Sequence, residues 1–287
     1  MEGQLSIPSK TMALENVRRL MHPLDLLLFK GTDPVSSTIC LVERLETQCG
    51  LFSHCGILVN SELMPFLPQL KPGRLYVWES TFSYHLPGRA DDTPNVETGT
   101  GDWGVQIRDL EEVLSAYLAG GRSRVAWAPL RHSPWLALDK EAEEEVRRRR
   151  SRIIAQVQEL HARYGGCFYD FNPFNLLAAA CPCWRRPRAV MHELMVEGRK
   201  LLSSQGAIRP SFFCSALTAE IYRRLGIIDT GLDPQDVLPV DFLGADKDGM
   251  SQVVGALNYL AINSLRGLDE LIAFNPEPRR GPQLSIL

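Results

Sequence analysis

Apolar residues in the first 21 positions fall at Met12, Leu14, Val17, Leu20 and Met21, close to the helical period, with Pro23 two residues on. A proline cannot continue the helical hydrogen-bond ladder, so the pattern predicts a helix that ends there. DLLLFKG (25–31) is a short unbroken apolar run and predicts a buried strand, whereas SSTICLVERLE (36–46) predicts a helix behind a Ser cap. FSHCGILVN (52–60) and RLYVWEST (74–81) predict two more strands. Residues 83–104, rich in Gly, Pro, Asp and Thr, predict a long loop. GVQIRDL and RVAWAPL then predict further strands, with the short helix EEVLSAYLAG between them. A long helix is expected from Lys140 to Tyr164, ended by Gly165 and Gly166. Helices are also expected over 190–203, in FFCSALTAEIYRRLG (212–226) and near 252–273, before a Pro-rich tail after Asn275 that is expected to fray. No internal repeat is visible.

Composition adds bounds. A chain of 287 residues can bury a sizeable core, and 45% hydrophobic with 23% charged residues is the balance of a soluble globular protein. The 31 basic and 34 acidic side chains leave a net charge of −3, which gives no reason to expect nucleic acid as a partner. The N-terminal stretch has no basic leader before an apolar segment, and LDLLLF and NLLAAAC are too short to cross a bilayer, so a cytoplasmic location is expected. Seven cysteines (Cys40, Cys49, Cys55, Cys167, Cys181, Cys183, Cys214) are an odd number in a long chain, which argues for thiols rather than a disulfide framework.

Three side chains could carry chemistry. Cys214 falls in the first turn of its predicted helix behind Ser211 as a candidate cap, where the positive dipole end and unpaired N–H groups favour a thiolate. Leu217, Ile221 and Leu225 continue the same face, so a core cysteine explains this helix equally well. A thiol nucleophile needs a base, and of the six histidines only His54 lies within a predicted strand. Strand alternation puts Phe52, His54, Gly56 and Leu58 on one face and Ser53, Cys55 and Ile57 on the other, so His54 and Cys55 cannot form a dyad with each other. Gly56 leaves space beside His54 for another group, although a hydrogen-bonded sheet histidine would look the same. In LYVWEST, Glu79 shares a face with Leu75 and Val77; it either orients an imidazole or sits exposed at the strand's edge.

The order of these motifs resembles the circularly permuted NlpC/P60 peptidases (YiiX-like), in which the Cys helix follows the His strand. The matching stretches are DLLLFKG, SHCGILV, VWEST, GGCFYDF, FFCSALTAEIYRRLG and DVLPVDFL, spanning residues 24–244. The resemblance implies an α+β, papain-like fold in which an antiparallel sheet packs against helices. It also implies Cys214 as nucleophile, His54 as general base, Glu79 as the group orienting it, and Tyr169 lining the cleft. Residues 1–23 would be a helical extension and 245–287 a C-terminal helix and tail. The expected activity is that of a cysteine hydrolase or acyltransferase acting on an amide, isopeptide or (thio)ester bond, with no cofactor and no metal. Its substrates would be peptides, acylated proteins or lipids. Lipid-directed enzymes of the lecithin retinol acyltransferase type form an alternative, but they set their cysteine in Asn-Cys-Glu-His, which FFCSAL lacks. A catalytically silent binding module of the same fold is the other. The chain departs from the family pattern in the 83–104 loop and in LLAAACPCWRRPR.

Other features have plainer readings. Cys181 and Cys183 have no second Cys or His pair nearby to complete a zinc site. The 176–188 segment, with its apolar run, Trp184 and arginines, suits either a packed helix end with a basic edge or peripheral membrane contact through acylated cysteines. EAEEEVRRRRSR (141–152) runs from acid to base along a helix and predicts a solvated one. No phosphate-binding GxxxxGK[ST] or strand-coupled GxGxxG occurs.

Overall fold

A computed structural model of the chain describes residues 18–31, 52–82, 93–101, 103–119, 124–130, 133–136, 142–168, 213–228, 234–239 and 242. Five strands form its centre: β1 (Leu26–Lys30), β2 (His54–Asn60), β3 (Leu75–Phe82), β4 (Trp103–Asp109) and β5 (Arg124–Ala128). They lie in the order β4-β3-β2-β1-β5, every neighbouring pair antiparallel. Three helices accompany them: α1 (Leu110–Ala119), α2 (Glu143–Tyr164) and α3 (Cys214–Arg224). The protein is therefore a mixed α+β fold built on one antiparallel sheet.

The unbroken apolar run of β1 reflects its place inside the sheet, covered on both faces. Leu26 and Leu28 enter one core cluster, and Leu27 and Phe29 enter another. The register makes the first cluster a row across all five strands, Ala128–Leu26–Ile57–Trp78–Ile107. That row packs with the apolar stripe of α2 (Ile153, Val157, Leu160, Tyr164) and with the buried side of α3. The opposite face, bearing Leu27, Leu58 and Val77, packs with Leu110, Val113 and Leu114 of α1. The sheet thus lies between α1 on one side and α2 with α3 on the other.

Polar ties fix how α3 sits. The Tyr222 hydroxyl donates to the Leu24 carbonyl at 2.7 Å, just ahead of β1. The Tyr164 hydroxyl of α2 donates to Glu220 at 2.8 Å, and Glu220 also accepts from Arg223 Nε at 3.0 Å and Arg224 Nε at 2.9 Å. At the outer edge of β4, Val105 N–H donates to the Cys167 carbonyl at 2.9 Å. Gly104 makes that approach possible, because a Cβ there would stand 1.9 Å from the Cys167 oxygen and its φ is +129°.

Several expectations change in detail. β2 begins at His54 rather than Phe52, and β4 begins at Trp103, inside the segment read as loop. α2 begins at Glu143 rather than Lys140, and its left-handed residue is Gly166 (φ 69°), while Gly165 keeps a negative φ of −56°. The arginine run is only half solvated. Arg147 and Arg148 pair with Glu144, but Arg149 donates to the Leu136 carbonyl at 2.6 Å and Arg150 to that of Trp135 at 3.0 Å. The helices expected over 36–46, 190–203 and 252–273, the 176–188 segment, Cys181 and Cys183 lie outside the described residues, as do residues 1–17 and 243–287. Among the described residues no helix is long and apolar enough to cross a membrane.

Candidate active site

The site is assembled where the N-terminus of α3 meets β2. Phe213 is the N-cap residue, with φ −69° and ψ 160°, and its own side chain makes no capping hydrogen bond. Ser211, expected in that role, lies outside the described residues. The first turn carries no acidic residue, and Arg223 and Arg224 stand in the last turn. The helix dipole therefore favours an anion at Cys214, and no carboxylate of the helix's own first turn opposes it.

The sheet contributes three buried ionisable side chains in contact, His54, Glu79 and Arg108. His54 stands opposite Phe29 on β1, their rings 5.6 Å apart, on the α1 side of the sheet. Its Nε2 bonds to Glu79 Oε2 from β3. Gly56 opens the room for this contact: a Cβ at that position would lie 2.5 Å from Val77 Cγ1 and 3.0 Å from Glu79 Cβ. On the far side of Glu79, Arg108 of β4 donates from Nε and from an Nη to Oε1, each at 2.6 Å. Glu79 is 0% exposed, Arg108 5% and His54 7%. A buried carboxylate is costly unless paired, and Glu79 is held by a guanidinium on one oxygen and an imidazole on the other.

With Nε2 committed to Glu79, Nδ1 is the ring nitrogen left for the neighbouring Cys214, whose charge acts on the ring. Strand alternation holds as read from the sequence: Cys55 belongs to the opposite face, in the cluster that packs with α3. It nonetheless lies near enough to Cys214 to act on its ionisation, because the start of α3 abuts the start of β2. Cys55 Sγ also lies 3.6 Å from Thr218 Oγ1, one helical turn beyond Cys214.

The electrostatics follow from this packing. The Cys214 thiol is held well below its ordinary range, first by the hydrogen bond from Cys55 and then by the charge and hydrogen bond of His54, which outweigh burial. Burial opposes a charge on His54 most strongly, yet the charges on Cys214 and Glu79 raise its pKa from 6.5 to about 10. Burial likewise opposes ionisation of Glu79, but the Arg108 charge, and then His54, bring it from 4.5 down to about 2. Cys55 is pushed well above the ordinary thiol range, by burial first and then by its hydrogen bond to Cys214. These shifts all favour the same state, a thiolate on Cys214 and an imidazolium on His54, backed by a carboxylate and a guanidinium.

The structure brings together Cys214, His54 and Glu79, which are far apart in the chain, while Tyr169 lies outside the described residues. Arg108 and Cys55 escaped the sequence reading. In GVQIRDL the period of two sets Gln106 and Arg108 against Val105 and Ile107, a polar face on a strand, and that face was the available signal for Arg108. Among the described residues, no group of three or more His, Cys, Asp or Glu could hold a metal ion. Two cavities lined by described residues lie elsewhere. One of about 550 Å³ is bounded by Trp103, His161 and Phe168, and the other, of about 370 Å³, by Trp135, Arg150 and Ile154. No family model matches the chain, and no curated protein matches it either.

Proposed function

We propose that the chain is a thiol-dependent hydrolase or acyltransferase of papain-like architecture, similar to the permuted NlpC/P60 peptidases. The observation that carries this reading is that Cys214 and His54 lie close enough to act on each other's ionisation, while the far nitrogen of the ring is held by the buried Glu79. A free thiol is largely protonated at neutral pH, and only the thiolate attacks a carbonyl efficiently. Here the surroundings of Cys214 favour its thiolate.

In the proposed reaction the Cys214 thiolate attacks the carbonyl carbon of an amide, isopeptide or (thio)ester. The electron pair moves to the carbonyl oxygen, and N–H groups at the start of α3, that of Cys214 included, receive the oxyanion. The His54 imidazolium gives its proton to the leaving amine, alcohol or thiol as the tetrahedral adduct collapses to an acyl-enzyme. Neutral His54 then takes a proton from water or an acceptor amine, which releases the acyl group and restores the thiolate. Glu79 keeps the ring in one orientation and stabilises its positive form, and Arg108 keeps Glu79 ionised throughout.

The test is selective alkylation of the full chain with iodoacetamide, a small electrophile suited to a sulfur on a residue only 3% exposed. Cys214 is expected to label faster than the other six cysteines and to keep labelling at mildly acidic pH. His54→Ala should remove that advantage, and Cys214→Ala should abolish the fast-labelling site. Equal labelling of all seven cysteines would overturn the reading.

A further inference from the structure

Cys55 is a buried thiol that the proposed reaction does not use, and its position is specific. Cys214 and Thr218 are four residues apart on α3 and share one face of the helix. Cys55 Sγ lies 3.6 Å from Thr218 Oγ1, and Cys214 stands one turn earlier on that helix face, so Cys55 rests against the first turn of α3. His54 reaches Cys214 from the other face of β2, so Cys55 and Cys214 can approach without displacing the imidazole. Both cysteines belong to one apolar cluster.

We propose that Cys55 is a resolving thiol for Cys214, so that a hydroperoxide converts the pair reversibly to a Cys55–Cys214 disulfide. In the first step the Cys214 thiolate attacks the terminal oxygen of the hydroperoxide. The O–O bond breaks, the departing alkoxide or hydroxide takes the proton held on His54, and Cys214 becomes a sulfenic acid. In the second step the Cys55 sulfur attacks the Cys214 sulfur, the S–O bond breaks, and the leaving hydroxide carries off the Cys55 proton as water. Two thiols and one hydroperoxide thus give one disulfide, one alcohol or water, and one further water.

The same packing times the second step. While Cys214 is a thiolate, its hydrogen bond and charge help keep the proton on Cys55; a neutral sulfenic acid removes both effects. The Thr218 hydroxyl remains to favour the Cys55 thiolate. Capture by Cys55 stops the nucleophile short of irreversible sulfinic acid, and a dithiol reductant restores it.

The inference rests on Cys214 being the reactive thiolate proposed above, and is independent of the acyl group transferred. The experiment exposes the reduced full-length protein to hydrogen peroxide, blocks remaining thiols with N-ethylmaleimide and maps the peptides without reduction. The expected product is a cross-link between the Cys55 and Cys214 peptides, with nearly complete recovery of fast iodoacetamide labelling after dithiothreitol. In Cys55→Ser, and in Cys55→Ala as the variant without a polar atom, Cys214 should advance to sulfinic acid and recovery should fall to almost none. Oxidation of Cys214 in the wild type without a cross-link, or with a cross-link to another cysteine, overturns the proposal and leaves the thiolate reading intact. A Cys214 that neither oxidises nor alkylates rapidly overturns both.

Discussion

Glu79 and Asp25 are both buried carboxylates, 0% and 1% exposed, and both are held by protein donors, yet their acidities diverge. Asp25 accepts from the backbone N–H groups of His22 and Leu130 and from Trp127 Nε1, each at 2.9 Å. These neutral donors only partly offset burial, and its pKa rises from 3.8 to about 6. Glu79 faces a similar burial penalty but meets Arg108 and His54, and its pKa falls from 4.5 to about 2. Fixed dipoles satisfy a carboxylate's hydrogen-bonding needs; full charges of opposite sign are what keep it ionised at depth. Asp25 joins the start of β1 to the end of β5, a task of shape. Glu79 backs an imidazolium, a task that requires its charge.

Removing the cation should have the largest effect. Arg108→Met strands Glu79 with one partner and should cost about 3–5 kcal/mol in urea unfolding at neutral pH. The Glu79 carboxyl should then titrate upward, toward the behaviour of Asp25; a loss below about 1 kcal/mol would mean that neutral donors suffice and would dissolve the contrast. Next comes Glu79→Gln, which keeps the shape and removes the charge. The His54 pKa should fall from about 10 toward 6.5 in NMR titration, and iodoacetamide labelling of Cys214 at neutral pH should slow roughly a hundredfold.

The same variant tests the acid limb of stability. Because folding lowers the Glu79 pKa from 4.5 to about 2, its contribution is present above pH 4.5 and is lost as pH falls toward about 2. Glu79→Gln should flatten unfolding free energy in that window, and an unchanged acid limb would exclude Glu79 as its source. Asp25 has the opposite sign. Its folded pKa is the higher one, so its effect on stability grows more unfavourable as pH rises from 3.8 through about 6. The smallest expected change is therefore Trp127→Phe, which removes one donor. It should cost about 1–2 kcal/mol above pH 6, where Asp25 is ionised, and less near pH 4, as unfolding at the two pH values would reveal.

Much of this protein was legible from local pattern. Short apolar runs and period-two alternation predicted all five described strands, because a strand's two faces alternate whatever its neighbours are. The same rule separated His54 from Cys55 and put Gly56 beside His54, where another group could approach. The α3 face of Cys214, Leu217 and Ile221 was equally plain from the helical period. None of this chose between a core cysteine and a nucleophile, since both sit on the buried side of a helix.

That choice belongs to contacts between residues distant in the chain. Sequence alone determined which side chains share a face, because backbone geometry makes that a local property. Only the tertiary structure set Arg108 against Glu79 and placed Cys55 beside Cys214. The first contact depends on the register of β3 against β4, the second on where α3 starts against β2. Those alignments emerge from the packing of the whole core, and the acidity of each buried group follows from the charges they deliver.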